Sequence, residues 1–302
     1  MKIYPKTVKI VEVGPRDGFQ NESKCIPTGD KVTFIEKLSD SGLGQIEVSS
    51  FVHPKAVPQL SDAEEVISKL KEVKKDVIYS ALVPNMKGFE RAVKIGIKRI
   101  AVFTAASETF TKKNINMTID ESLKTFKPVI ESALKSGISV RGYISTCFVC
   151  PYEGEIKKDK VLEIAHKLFE TGVDEISFGD TIGAAAPTDI FETLGYLLKS
   201  IPKEKIAMHF HDTYGTALAN VVSSLEFGIS TFDSSAGGLG GCPYAPGASG
   251  NLATEDLVYL LNRMNIETNV NLEKIAEASL FMQKVLGRTL PSKQLQRLIS
   301  KI

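Results

Sequence analysis

One unit recurs along this chain: an amphipathic stretch, a glycine, then a short apolar run. The junctions are Ser41-Gly42-Leu43, Ile95-Gly96-Ile97, Ser136-Gly137-Ile138, Thr171-Gly172-Val173 and Phe227-Gly228-Ile229. Glycine just past a helix end adopts the left-handed conformation that closes the helix. The five junctions therefore read as helix-to-strand turns. Eight strands are predicted, over residues 8–13, 46–49, 77–82, 99–103, 140–145, 175–179, 206–211 and 231–235. Strands that alternate with helices form a parallel sheet. Eight repeats at this chain length fit a closed barrel better than an open doubly wound sheet. Gly14-Pro15-Arg16-Asp17-Gly18, after the first strand, also lacks the Gly-x-Gly-x-x-Gly spacing of a dinucleotide fold. No linker interrupts the repeats. The expectation is one α/β domain over residues 1–302, a (β/α)8 TIM barrel. Additional C-terminal helices, read over 254–264 and 271–286, would extend or cap it.

A net charge of +1 gives no basic surface for nucleic acid or acidic membranes. No apolar run reaches membrane-spanning length. The opening Met1-Lys2-Ile3-Tyr4-Pro5-Lys6 enters a strand almost at once, so no signal or transit peptide is expected. Ser300-Lys301-Ile302 ends in the wrong residue for a peroxisomal tail. Four cysteines, Cys25, Cys147, Cys150 and Cys242, are too few and too scattered for a disulfide framework in a chain this long. A reducing, cytoplasmic setting is expected. Cys147-x-x-Cys150 has no second pair and no redox fold around it, and reads as packing at the end of strand 5.

Catalytic groups of such barrels sit at the C-terminal strand ends. Strand 7 ends in His209-Phe210-His211, which places both imidazoles on one face. Strand 1 ends in Arg16-Asp17. The long loop after strand 8 carries Cys242 and ends at Asn251. Closure of the barrel brings strands 7, 8 and 1 together, so Asp17, His209, His211 and Asn251 can surround one ion. Two imidazoles, a carboxylate and a carboxamide suit octahedral Mg²⁺ or Mn²⁺; Cys242 in the same loop keeps zinc open. Arg16 either pairs with a carboxylate to hold its loop or stabilises an enolate or carboxylate oxygen. Glu47 and Asp180 are supporting or structural polar residues of strands 2 and 6. A cysteine in a lid-like loop can act as a mobile acid or base.

Gly14-Pro15-Arg16-Asp17-Gly18 with His209-x-His211 resembles the metal-dependent lyase and acyl-CoA Claisen-condensing family of TIM barrels. The loop Gly240-Gly241-Cys242-Pro243-Tyr244-Ala245-Pro246-Gly247-Ala248-Ser249-Gly250-Asn251-Leu252-Ala253-Thr254-Glu255-Asp256 is more specific. It resembles the signature of the 3-hydroxy-3-methylglutaryl-CoA lyases, and the resemblance covers essentially the whole chain. It implies cleavage of 3-hydroxy-3-methylglutaryl-CoA to acetyl-CoA and acetoacetate, as in leucine degradation and ketone-body formation. It implies Asp17, His209, His211 and Asn251 as ligands of a divalent cation, Mg²⁺ or Mn²⁺. No organic cofactor beyond the CoA thioester substrate is implied. Arg16 would polarise the thioester carbonyl, Cys242 would protonate the departing carbanion, and Glu47 and Asp180 would support the substrate site. The hydroxyl base would be Asp17 or a bound water. Lys112, Lys113 and Asn114, after strand 4, are candidates for the CoA phosphates. A homodimer is implied as well. No cysteine follows Cys242, so thiol control between subunits is not expected.

Two other readings compete. An isopropylmalate- or homocitrate-synthase-like condensing enzyme shares the Arg-Asp and His-x-His elements, but should lack the cysteine loop. A non-catalytic metal-binding barrel would not need the full set of polar groups.

Overall fold

The computed structural model describes residues 4–70, 76–241 and 250–300. Eight parallel strands close into a barrel. They are β1 (Lys9–Glu12), β2 (Gln45–Ser50), β3 (Ile78–Leu82), β4 (Arg99–Ala105), β5 (Ser139–Ser145), β6 (Glu175–Asp180), β7 (Ile206–Phe210) and β8 (Thr231–Ser234). Each pairs with its neighbours in chain order, and β8 returns to β1 with Lys9 opposite Thr231 and Glu12 opposite Ser234.

All five predicted turn glycines have positive φ. Gly42 also needs its missing side chain, because a Cβ there would lie 2.1 Å from the carbonyl oxygen of Asn269. Helices follow the strands: α1 (Thr28–Asp40), α2 (Ala63–Leu70), α3 (Met86–Lys94), α4 (Glu108–Ile115), α5 (Ile119–Lys135), α6 (Lys158–Glu170), α7 (Pro187–Leu197), α8 (Ala217–Glu226) and α9 (Thr254–Arg263). Beyond them, α10 (Leu272–Leu286) lies along α1, and α11 (Lys293–Ile299) packs on α9 and α10. The C-terminal helices thus flank the barrel wall. The chain between α10 and α11 comes back under the loop after β8, where Ser292 donates its N–H to the Gly237 carbonyl at 3.1 Å.

Two elements were not foreseen. A two-stranded antiparallel sheet, Val149–Cys150 with Gly154–Glu155, follows β5; Pro151 and the left-handed Gly154 bound its turn. Helix α11 is short, and is fastened by the Ser292 hydroxyl accepting the N–H of Leu295 at 3.1 Å.

Alternation along the strands sorts their residues. One parity, including Ile10, Ile46, Ile100, Val140, Ile176, Met208 and Phe232, joins the helices in one apolar core. The opposite parity faces the barrel axis, and there the apolar content is small: Leu82, Ala101 and Tyr143, with Val52 and Phe103 against them. The axis is otherwise polar and buried. Glu47, Arg141, Glu175, Ser177 and Asp233 lie within it. Buried charge is tolerated only when paired. Arg141 supplies the pairing: its Nε is 2.8 Å from Glu175, and its Nη2 donates to Asp233 at 2.7 Å.

Candidate active site

Where β1 ends, Gly14–Gly18 forms one wide helical turn that aims Arg16 and Asp17 over the barrel mouth. Glu12 anchors this turn. Its carboxylate accepts the N–H of Gly14 at 2.8 Å, that of Ala236 at 2.9 Å, and the hydroxyl of Thr254 at 2.7 Å. The loops after β1 and β8 therefore share one buried fastener. Burial, against these donors, raises the Glu12 pKa to about 7. Glu255 plays the same part for the second loop, accepting the N–H of Gly237 at 2.9 Å, and burial lifts its pKa to about 8.

Ligand atoms of Asp17, His209 and His211 lie within 4.8 Å of one another. Asn251 joins them by a route other than barrel closure alone. The loop end pairs antiparallel with the end of β7, in a bridge between His211 and Asn251. Asp212 donates its N–H to Gly250 at 2.9 Å, and Leu252 donates to Phe210 at 2.9 Å. The Asn251 amide nitrogen donates to Asp17 at 2.9 Å and to the Leu239 carbonyl at 3.1 Å. Among the described residues its Oδ1 is buried with no hydrogen-bond partner, and so is Nδ1 of His211. Unpaired buried acceptors are rare and demand a reason. A divalent cation among these groups is such a reason, and the N/O donor set fits one.

The electrostatics suit that role. Burial raises the Asp17 pKa, but Arg16, both histidines and the Asn251 amide outweigh it and bring it down to about 2. Burial, followed by the neighbouring His209, lowers the His211 pKa to about 4. An ionised carboxylate and a neutral imidazole are the forms that bind metal.

Arg16 is clamped from two sides. Its Nε donates to Glu47 at 2.6 Å, and its Nη1 to Asp17 at 2.6 Å. Burial opposes its charge, but Glu47 and Asp17 hold the guanidinium protonated. Its Cζ lies 5.4 Å from the Tyr143 ring centroid, and Arg141 lies 5.0 Å from the same centroid. The Tyr143 hydroxyl accepts from Arg141 at 3.0 Å and donates to Glu47 at 3.3 Å. Asp233 completes the chain beneath the histidines: its Oδ2 lies 3.3 Å from Nδ1 of His209 and accepts the Ser177 hydroxyl at 2.7 Å.

A cavity of about 390 Å³ opens above this cluster. Arg16, Asp17, His209, His211, Ser177 and Thr181 make its polar wall. Val57, Leu82, Phe103, Phe110 and Ile115 make the apolar one. One side thus matches a carboxylate and hydroxyl, the other a hydrocarbon arm. Gly241 lines the rim, its carbonyl held by the Asn21 amide at 3.1 Å.

The structure brings Arg16, Asp17, His209, His211 and Asn251 together. Glu47 is fully buried and reaches the cavity through Arg16 and Tyr143, which both line it. Asp180 is turned away from the cavity, accepting the N–H groups of Ala184 and Ala185 at 3.0 Å each. It fastens the loop after β6, a structural role rather than contact with substrate. Asn114 lines the cavity, whereas Lys112 and Lys113 stand outside it on α4, with Lys113 3.8 Å from the Tyr152 ring centroid. Cys242 lies outside the described residues. Cys147 and Cys150 are separate buried thiols, bonded to the Ile144 carbonyl and the Ser107 hydroxyl at 3.0 Å each. Sequence reading missed Arg141, Tyr143, Ser177 and Asp233. Their signal was a polar residue at alternate positions of an otherwise apolar barrel strand.

The profile of the HMGL-like family matches residues 7–282. The chain belongs to the HMGL-like family. It is 52% identical to a hydroxymethylglutaryl-CoA lyase of Bacillus subtilis, over 97% of this chain and 98% of the relative. It is 50% identical to the human mitochondrial hydroxymethylglutaryl-CoA lyase, over 98% and 91%. The solved B. subtilis HMG-CoA lyase superposes with a TM-score of 0.96 over 98% of this chain and 99% of that one. An HMG-CoA lyase from Acinetobacter baumannii, solved with coenzyme A and 3-methylmalate, is 37% identical, with a TM-score of 0.92 over 98% and 96%. This family member is thus a carbon–carbon lyase. Among the described residues no helix is long and apolar enough to cross a membrane.

Proposed function

We infer that this chain cleaves 3-hydroxy-3-methylglutaryl-CoA to acetyl-CoA and acetoacetate, using a divalent cation, Mg²⁺ or Mn²⁺. The observation that carries this reading is the placing of a largely buried Asp-His-His-Asn donor set beside a buried, charged arginine at one cavity. A CoA thioester as substrate is supported by the Acinetobacter relative, which was solved with coenzyme A.

Asp17, His209, His211 and Asn251 would hold the ion. When bound, it supplies a Lewis acid that lowers the pKa of the tertiary hydroxyl and orients the free carboxylate. The chain supplies the rest. Arg16 presents its guanidinium to the thioester oxygen. As the carbon–carbon bond breaks, its electron pair passes into the acetyl-CoA enolate, and the arginine stabilises that oxygen. The hydroxyl loses its proton and becomes the ketone of acetoacetate. Asp17, with a pKa of about 2, serves better as ligand than as the base for that proton, which favours a bound water. Cys242 delivers the proton that converts the enolate to acetyl-CoA. Glu47 orients Arg16, and Asp180 holds the loop beside Thr181. The apolar wall takes the pantetheine arm, with Asn114 at its edge, and Lys112 and Lys113, which precede it on α4, take the phosphates. The active form is a homodimer in the reducing cytoplasm, where the free thiols of Cys25, Cys147 and Cys150 are stable.

The test supplies the purified protein with 3-hydroxy-3-methylglutaryl-CoA and follows both products. Equimolar acetyl-CoA and acetoacetate are expected. Condensation of acetyl-CoA with a 2-oxo acid, without cleavage, would assign the chain to the synthases instead. Cys242→Ser should retain Mn²⁺ binding and lose most turnover; unchanged turnover removes the thiol from the reaction.

A further inference from the structure

His209 can ligate an ion only through a nitrogen that carries a lone pair. A neutral imidazole has one such nitrogen, and the partner of the other nitrogen decides which it is. Nδ1 of His209 is 3.3 Å from Asp233. The only other group bonded to that carboxylate oxygen, among the described residues, is the Ser177 hydroxyl at 2.7 Å. The second carboxylate oxygen is taken by Arg141 at 2.7 Å. Asp233 is 1% exposed, so bulk solvent does not compete for these bonds.

We propose that Asp233 is a positioning residue that fixes His209 as the Nδ1–H tautomer and so presents Nε2 to the ion. The inference rests on the reading of Asp17, His209 and His211 as ion ligands. Arg141 is part of the same device. It supplies the countercharge that keeps a buried carboxylate ionised, and an ionised carboxylate only accepts hydrogen bonds. Nδ1 facing it must therefore donate. Arg141 is itself held by Glu175 and Tyr143, so the carboxylate cannot swing away without breaking a network that reaches Glu47 and Arg16. A simple counter-ion for Arg141 would need no bond to the histidine.

Asp233→Asn separates the two roles. The new amide keeps its oxygen toward Arg141, because the alternative sets donor against donor. Its NH2 then faces Nδ1 of His209, which must accept and carry its proton on Nε2. The ring stays in place with the wrong nitrogen protonated, as when the orienting carboxylate of a Ser-His-Asp triad is amidated. Metal affinity should fall by about 10- to 100-fold, the usual loss for a broken ligand–carboxylate pair. Ser177→Ala removes one bond to Asp233 and leaves the carboxylate, so its effect should be several-fold smaller.

Calorimetric titration of the full-length protein with Mn²⁺ is the first measurement. The second is ¹⁵N NMR of the metal-free protein, which reads the tautomer of each of its four histidines, with His209 assigned by its loss in His209→Gln. The expected result is Nδ1–H in the unaltered protein, Nε2–H in Asp233→Asn, and weakened Mn²⁺ binding by that variant. Nε2–H in the unaltered protein, or equal Mn²⁺ affinity in the variant, overturns the proposal. If Asp233→Asn does not fold, the tautomer in the unaltered protein decides alone. Failure of the unaltered protein to bind Mn²⁺ would instead sink the metal reading, and the tautomer would still report on Asp233.

Discussion

Asn251 and Arg16 illustrate how the same residue cluster divides its work. Asn251 spends both amide hydrogens on Asp17 and Leu239, which leaves Oδ1 as an acceptor with no donor among the described residues. Arg16 spends two edges of its guanidinium on carboxylates and keeps its charge in the cavity. Two substitutions should therefore fail differently. Asn251→Ala should weaken Mn²⁺ binding, measured by calorimetry, at least tenfold. Arg16→Gln should leave that binding within a few-fold while lowering kcat by about 10²- to 10³-fold, the range for loss of one donor to a developing oxyanion. Equal losses of both properties in both variants would deny the division. Much of this site was legible in the chain itself. Arg16, Asp17 and the His209-x-His211 pair stand at strand ends, and alternation alone puts both imidazoles on one face. The partners beneath were not legible. Asp233 and Arg141 are 92 residues apart and meet only because β5 and β8 face each other across the barrel axis. Asp180 follows the structural one of its two readings, because a carboxylate at a strand end can turn to the backbone of its own loop.

At the scale of elements, glycine punctuation and alternation carry the fold. The strands predicted from apolar runs agree with those observed, because a parallel barrel strand hides both faces. The small sheet after β5 and helix α11 escaped because each is only a turn or two long and held by local bonds. Phe210, between the two histidines, points the opposite way from them into the helical layer. Phe210→Ala should destabilise the protein by about 3–5 kcal/mol in denaturant unfolding. A loss under 1 kcal/mol would mean that β7 is not packed as described. The loop after β8 has its own brace. Gly237 has φ 70°, and a Cβ there would lie 2.4 Å from Cδ1 of Leu290. Gly237→Ala should lower the melting temperature and turnover together. Adding Leu290→Ala should recover part of the turnover, since it removes the clash. No recovery would show that backbone strain alone carries the effect.

The whole molecule has a pH signature set by its buried carboxyls. Glu12, Asp180 and Glu255 have folded pKa values raised by burial to about 7, 7 and 8. A raised carboxyl holds its proton more tightly folded than unfolded, so its contribution is complete below the unfolded value and is lost as pH rises through the folded one. His211, lowered to about 4, works in the opposite direction between that value and its ordinary one near 6.5. Above pH 6.5 only the carboxyls remain, so the metal-free protein should melt at progressively lower temperature from pH 6.5 to 8.5. At the acid end Asp17 and Asp233, both held near 2, lose their contribution as pH falls below about 4. Glu12→Gln should flatten the alkaline slope in a melting series; an unchanged slope would remove Glu12 from this account. The molecule as a whole is thus a barrel whose axis is charged and whose mouth gathers Arg16, Asp17, His209 and His211 on the wall of one cavity. The most direct test strips the protein of metal with chelator and titrates Mn²⁺ back while 3-hydroxy-3-methylglutaryl-CoA cleavage is followed. The account predicts no cleavage without metal and full activity at one ion per chain. Full cleavage by the stripped protein, or restoration unaffected by His209→Ala with His211→Ala, would contradict it.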